Sequence, residues 1–450
     1  MQTILAEKLE KPTPRYTSYP TAPHFHQGIE ADQYRNWLQS LPAGSALSLY
    51  FHIPFCDRLC WFCGCTTKQT QQYKPIERYL ESLYREIATV GALAGHDSTV
   101  TALHLGGGSP TMLSPADFAT LGKTIREHFN LADDAEISIE MDPNDLDEEK
   151  YDAMAAFGVT RASLGVQDFD PKVQQSINRP QTFDQTREVV EAMRKRGVGS
   201  VNLDMLYGLP YQTLETIEDT VAKIISLEPD RIALFGYAHV PWIKKHQKMI
   251  DEAALPGVAE RFKQANHAAE LLTANGYHRI GMDHFALQHD KLSRADRNGD
   301  LNRNFQGYTT DNADALIGMG ASSIGRMPQG YVQNTPSTHD YQRRVDTEGG
   351  LATVRGLELS DDDHMRGWLI ERLMCDFRFS SAELVERFGQ LAVTVIEEAE
   401  ALANADDNGL FVRSGGTFQI TESGRPYVRT IAAEFDRYLQ KGTARHSVSV

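Results

Sequence analysis

The run Cys56-Asp-Arg-Leu-Cys60-Trp-Phe-Cys63-Gly-Cys65 gathers four of the chain's five cysteines into ten residues. Thiolates spaced C-x3-C-x2-C on one short loop can hold three corners of a four-iron cube, since cysteine sulfur carries such clusters. The fourth iron then lacks a protein thiolate unless Cys65 reaches it. An iron with an open position can bind a small molecule and pass it one electron.

Other thiol chemistry fits the spacing less well. Structural zinc draws paired C-x2-C units from separated segments, whereas here all four thiols share one loop of a large chain. Disulfides belong to exported chains; no apolar signal segment opens this one, and Cys375 stands alone. Plain ferredoxin-type carriers use C-x2-C-x2-C with a further remote cysteine. The x3 gap and the missing remote partner argue against that use.

Polar residues that could serve the same chemistry recur at intervals. Gly106-Gly-Gly-Ser109-Pro-Thr111 follows an apolar run and precedes a helical pattern. It reads either as a tight strand-to-helix turn or as a place where backbone approaches a ligand. No Gly-Lys-Ser/Thr follows, so it is not a P-loop. Glu140 and Asp142 end one apolar run and Asp204 lies in another; each carboxylate can meet an ammonium or a hydroxyl, or simply cap a helix. Gln167 and Arg179 add polar groups; Arg179 can clasp a carboxylate bidentately or stand as a solvated arginine. His52 stands four residues before Cys56, while His104 and Cys375 read as core positions.

These residues need a scaffold. Apolar runs at 46–53, 100–105, 136–141, 160–165, 201–206 and 231–237 read as buried strands. Amphipathic runs at 76–90, 115–128, 183–196 and 214–225 read as helices between them. Such alternation predicts a parallel sheet with crossover helices, and six repeats predict an open partial (β/α)6 barrel. The candidate groups then fall at the C-terminal strand ends, where parallel folds place their chemistry. Residues 1–45 form a polar, Pro-rich arm with little periodicity. Its segment 14–21, Pro-Arg-Tyr-Thr-Ser-Tyr-Pro-Thr, is rigid and aromatic, and reads either as a working lid or as a strap on the barrel. Because it precedes the first strand, the barrel core should not need it. Residues 46–250 form the barrel, and 251–358 a largely helical extension that covers the substrate. Within that extension, 304–310 and 318–324 read as loops. Residues 359–450 form a mostly helical, winged-helix-like domain with a hairpin around Gly415-Gly416.

Composition bounds the partners. The chain has 450 residues, 41% of them hydrophobic, and no stretch approaches a membrane span. Net charge is −16, which disfavours a nucleic-acid surface and obliges any anionic substrate to find a local basic pocket. Clustered reduced thiols place the chain in the cytoplasm.

The cysteine loop resembles that of the radical S-adenosylmethionine (SAM) enzymes. Segments 14–21, 50–65, 106–111, 140–143, 165–168, 208–210, 237–241, 280–285 and 304–310, in order, resemble the oxygen-independent coproporphyrinogen III oxidases. Cys65 and the arm separate that family from radical-SAM heme chaperones, the alternative reading; a radical-SAM enzyme for another substrate is a second alternative. The resemblance implies a [4Fe-4S] cluster on Cys56, Cys60 and Cys63 and two SAM molecules. The first would sit near Tyr50, Gly107, Glu140 and Ile324. The second would sit near Phe62, Gly108, Ser109, Gln167, Arg179, Asp204 and Ala238, with Ser109 replacing the family's threonine. It assigns Tyr50 and Cys65 to catalysis. The implied reaction is anaerobic oxidative decarboxylation of two propionates of coproporphyrinogen III to vinyls, giving protoporphyrinogen IX for heme biosynthesis. It further implies a monomer served by an electron donor such as flavodoxin or ferredoxin.

Overall fold

The computed structural model describes residues 11–144 and 146–439. The first ten residues of the arm and residues 440–450 of the C-terminal domain lie outside the described residues.

Six strands pair in parallel and in chain order: Ala46–Ile53, Thr99–Gly107, Asn130–Met141, Arg161–Gln167, Ser200–Tyr207 and Arg231–Gly236. Their runs are nearly continuous apolar because both faces are covered, as parallel sheets require. Leu47, Leu49, Phe51 and Ile53 of the first strand are fully buried. The covering helices include Lys74–Ala94, Pro115–His128, Glu148–Phe157, Phe183–Lys195 and Leu214–Ser226. Ser114, Asp147, Thr182 and Thr213 start four of them by accepting a backbone N–H in the first turn.

The sheet continues past the sixth strand and past the first. A seventh parallel strand, Ala315–Met319, pairs with Ala46–Ile53 on its free edge. Ile324–Met327, Gly330–Asn334 and Thr353–Glu358 extend that side antiparallel. His284–Leu287 and Tyr277–Ile280 extend the other side beyond Arg231–Gly236. The result is one open twelve-stranded sheet among the described residues.

Between residues 251 and 358 the helices Val258–Ala274, Lys291–Asn298 and Thr338–Thr347 alternate with short strands, so the extension is mixed rather than largely helical. The segments read as loops are a hairpin, Asn302–Asn304 with Gly307–Thr309, and the end of the seventh strand running to Ile324–Met327. These strands span three to five residues, too few for a two-residue alternation to register. Gly318 also breaks the apolar pattern, yet the strand needs it: a Cβ there would lie 2.5 Å from the Ile324 carbonyl oxygen.

The arm carries more structure than its composition indicates. The helix Ala31–Gln39 buries Tyr34, Trp37 and Leu38 in the barrel's core. Tyr16 and Tyr19 are buried in the C-terminal domain's core, with Leu369, Leu373 and Phe435. His26 forms a β-bridge to Gly356. The C-terminal domain combines the helices Asp361–Asp376, Ser381–Phe388 and Ala392–Ala405 with a three-stranded sheet of Arg378–Ser380, Thr417–Ile420 and Phe411–Ser414.

Candidate active site

The cysteine loop leaves the C-terminal end of the first strand. Its start, Phe55–Cys56, pairs with Lys68–Gln69, which closes the loop's base. Loop and rim are stitched together through main-chain carbonyls: Trp61 N donates to Ile177 O at 2.9 Å, and the Asn178 side chain donates Nδ2 to Leu59 O at 2.9 Å. On the other flank a loop after the sixth strand clamps three carbonyls. Lys244 Nζ donates to Cys65 O (3.0 Å), His246 Nε2 to Cys63 O (2.8 Å) and Gln247 Nε2 to Phe62 O (3.0 Å). The Gln247 amide also reaches Ala238 O at 3.2 Å, so it ties Phe62 and Ala238 to one side chain.

The thiols differ in environment. Cys60 is buried, Cys56 and Cys63 are half-buried, and Cys65 is exposed at the loop's edge. The Cys60 sulfur faces Arg179 Nη1 at 3.4 Å, and the Cys63 sulfur accepts the Cys65 N–H at 3.4 Å. Burial pushes the Cys56 thiol up, and the neighbouring Cys63 and Cys60 add to it. Cys63 is instead pulled down to about 7, chiefly by hydrogen bonding from Cys65, whose own thiol is driven well up.

Arg179 is buried and joins four segments. Its guanidinium contacts Cys60, pairs with Asp142 Oδ2 at 3.2 Å and donates to Gly165 O at 2.6 Å. The solvated-arginine reading is therefore wrong. Gly165 pairs in register with Asp204 on the next strand. Asp204 accepts from Asn202 Nδ2 at 2.7 Å, and burial raises its carboxyl to about 7, with the Glu140 charge adding. Gln167 is buried and holds φ +66°, a sparsely populated conformation for a residue with a side chain, at the end of its strand.

Glu140 and the glycine run meet directly. Gly107, at φ +108°, donates its N–H to Glu140 Oε2 at 2.9 Å, and a Cβ there would fall 2.5 Å from the His52 ring. Burial works against the Glu140 charge, but His104, 3.3 Å away, and the Gly107 N–H outweigh it and hold the carboxyl low. Tyr50 stacks on His104, ring centroids 5.8 Å apart, and donates its hydroxyl to His52 Nδ1 at 2.9 Å. His52 Nε2 then donates to Thr66 O at 2.9 Å, which fixes the tautomer. Burial keeps the Tyr50 hydroxyl protonated and the His52 ring neutral. Gly318 lies opposite Tyr50 on the seventh strand, with Ile324 against it. Gly108 N and Ser109 N donate to Ile53 O and Phe55 O, running the glycine segment along the root of the cysteine loop.

Residues 50–224 match the radical SAM superfamily, and residues 359–427 match the HemN C-terminal domain. The chain is 44% identical over 444 residues to the oxygen-independent coproporphyrinogen III oxidase of Paracoccus denitrificans, covering 97% of this chain and 96% of the relative. The Pseudomonas aeruginosa relative of the same name is 42% identical, covering 95% and 93%.

The chain belongs to the oxygen-independent coproporphyrinogen III oxidase family.

The solved coproporphyrinogen III oxidase HemN of Escherichia coli, described as a radical SAM enzyme, superimposes with a TM-score of 0.90 at 39% identity, covering 94% of this chain and 97% of that one. Family membership carries a [4Fe-4S] cluster and SAM, and the donors here fit them. Among the described residues no three Cys, His, Asp or Glu side chains converge as a single ion would require. Cys60 and Cys63 nevertheless sit close enough to Cys56 to raise the cost of charging it, and Cys63 does the same to Cys60, a cost that bound iron relieves. Donors already point at two of the sulfurs, the outer contacts that orient thiolate ligands and set their electronics.

Sequence reading missed the clamp Lys244, His246 and Gln247, which lies about 180 positions from the cysteines it holds. No spacing rule links segments so far apart. His104, read as a core position, is buried but also braces Glu140 and Tyr50.

Proposed function

We propose that this chain oxidatively decarboxylates two propionates of coproporphyrinogen III to vinyls, giving protoporphyrinogen IX. What carries the reading is that the likeness to the oxidases runs through arm, barrel, cysteine loop and C-terminal domain, at 44% identity over 97% of the chain.

Cys56, Cys60 and Cys63 would hold the cluster, with SAM on the remaining iron. When bound, the pair supplies one-electron cleavage of SAM and hence an abstracting radical. Tyr50, Gly107, Glu140 and Ile324 would bind that SAM. Glu140, held ionised, offers its free lone pairs to an ammonium or hydroxyl. Phe62, Gly108, Ser109, Gln167, Arg179, Asp204 and Ala238 would bind a second SAM. The propionate β-carbon would lose a hydrogen atom to that radical; carbon dioxide then leaves as one electron passes to an external one-electron acceptor, and the vinyl remains. Cys65 would stand at the loop's edge beside the ligand Cys63, serving turnover rather than ligating iron. Tyr50 acts through its ring and its donated hydrogen bond, since its hydroxyl stays protonated.

Among the described residues no helix is long and apolar enough to cross a membrane. Clustered free thiols favour a reducing cytoplasm; the chain would act as a monomer and take its electron from a small redox protein such as flavodoxin or ferredoxin. The test is anaerobic: reconstituted chain, SAM, dithionite and coproporphyrinogen III, with protoporphyrin read after oxidation. Tight heme binding with no vinyl product would favour the heme-carrier alternative.

A further inference from the structure

Beyond the sixth strand lies a cavity of about 90 Å³ lined by five arginines: Arg15, Arg261, Arg279, Arg425 and Arg429. They come from separate parts of the chain. Arg15 is on the arm, Arg261 on the helix Val258–Ala274, Arg279 on the strand Tyr277–Ile280, and the last two on the C-terminal domain. Such a concentration is notable in a chain of net charge −16.

The charges of Arg15, Arg261 and Arg279 are poorly answered. Among the described residues Arg15, Arg261 and Arg279 form no ion pair with a carboxylate; they donate to the carbonyls of Gly236 (2.7 Å), Tyr237 (2.9 Å) and Met282 (3.3 Å). The Nε atoms of Arg261 and Arg279 are buried with no hydrogen-bond partner. Arg429 is buried and donates Nε to Pro14 O at 2.9 Å. Arg425 pairs with the exposed Glu422 at 3.3 Å. Among the described residues one carboxylate lines the cavity, Asp283; it engages His284 Nδ1 at 2.7 Å, and its single charge is shared among Arg15, Arg279 and Arg429. Burial holds the Arg15 and Arg279 guanidinium groups below their ordinary range and lowers Arg429 to about 10. Buried cations without counter-ions are unfavourable, and a bound anion removes that penalty.

Resting on the function proposed above, we infer that this cavity is a socket for one carboxylate arm of the tetrapyrrole, a propionate other than the one reacting. The volume sets the occupant: ligand pockets for whole molecules run to roughly 300–1,000 Å³. About 90 Å³ admits a propionate with its methylenes against Phe262 and Phe285, and leaves the ring outside. Ala238 lines the cavity and shares Gln247 with Phe62 of the cysteine loop, so an arm seated here hangs the ring toward that loop. Binding energy gathered away from the reacting carbon then positions it.

The experiment uses the full chain with Arg279→Gln, Arg261→Gln and Arg279→Lys. Fluorescence titration with coproporphyrin III and with its tetramethyl ester reads binding, and reductive SAM cleavage reads the cluster and its SAM. Loss of one charge-assisted contact should weaken coproporphyrin III binding about tenfold or more in each Gln variant. Tetramethyl-ester binding and SAM cleavage should be unchanged, and Arg279→Lys should partly restore affinity. In turnover, KM for coproporphyrinogen III should rise more than kcat falls. Gln variants that bind coproporphyrin III like the parent while turnover proceeds would overturn the socket and leave the decarboxylase reading standing. Arginine-dependent binding in a chain that makes no vinyl product would support the socket and overturn that reading.

Discussion

The Arg179 guanidinium stands 3.4 Å from the Cys60 sulfur while paired at 3.2 Å with Asp142. A buried cation at that distance stabilises negative charge on a ligand sulfur, and so favours the reduced state of a cluster held there. Arg179→Ala should keep its iron but show a more negative midpoint potential in an EPR-monitored redox titration. An unchanged potential would mean that Arg179 serves only the rim.

Cys65 touches Cys63 through its main-chain N–H, a contact that serine retains. Cys65→Ser should therefore keep about four irons per chain and its brown colour, yet lose turnover. Cys56→Ser, Cys60→Ser and Cys63→Ser should lose both. Iron analysis decides: collapse in Cys65→Ser to the level of Cys60→Ser would make Cys65 a ligand.

Asp204 ties binding to pH. Burial raises its carboxyl from 3.8 to about 7, so at pH 6 it is mostly protonated and at pH 8 ionised. Bound SAM, cationic and rich in hydroxyls, stabilises the ionised form. Affinity for the second SAM should thus rise with pH between 6 and 8, by up to about tenfold per unit below the pKa. Equilibrium dialysis should count two SAM at pH 8. Asp204→Asn should bind about one with the cluster spectrum intact, having lost a charge-assisted contact of about 1.5–3 kcal/mol. Two SAM bound equally across that range would remove Asp204 from the site.

The arm couples folding to turnover. Tyr16 and Tyr19 are buried in the C-terminal core, and Tyr16 donates to Asp436 at 3.0 Å. Replacing a buried aromatic by alanine destabilises by about 3–5 kcal/mol, so Tyr16→Ala or a chain starting near residue 30 should melt measurably lower. The sequence-based expectation that the arm is dispensable for folding rests on its place ahead of the first strand; the burial of these rings reverses it. Arg15→Gln leaves both rings in place and removes a buried cation, so it should cut turnover without lowering Tm. Calorimetry beside an activity assay separates the two effects.

Legibility followed element length and contact distance. The strand Ala46–Ile53 and the helix Pro115–His128 match their expected bounds because long periodic runs carry the signal. The strand Ala315–Met319 did not read as one, since Gly318 interrupts five residues and its partner lies some 270 positions earlier. The cysteine loop announced itself by spacing alone. The burial of Arg179, the clamp of Lys244 and His246, and the convergence of Arg15 with Arg279 and Arg429 are tertiary facts, which no local pattern encodes.

The most direct measurement follows one atom. The reconstituted chain is incubated anaerobically with SAM, dithionite and coproporphyrinogen III deuterated at its propionate β-carbons, and the products are read by mass spectrometry. The expected result is protoporphyrinogen IX together with 5′-deoxyadenosine carrying deuterium. Deuterium-free 5′-deoxyadenosine with coproporphyrinogen III recovered intact would contradict decarboxylation by this chain.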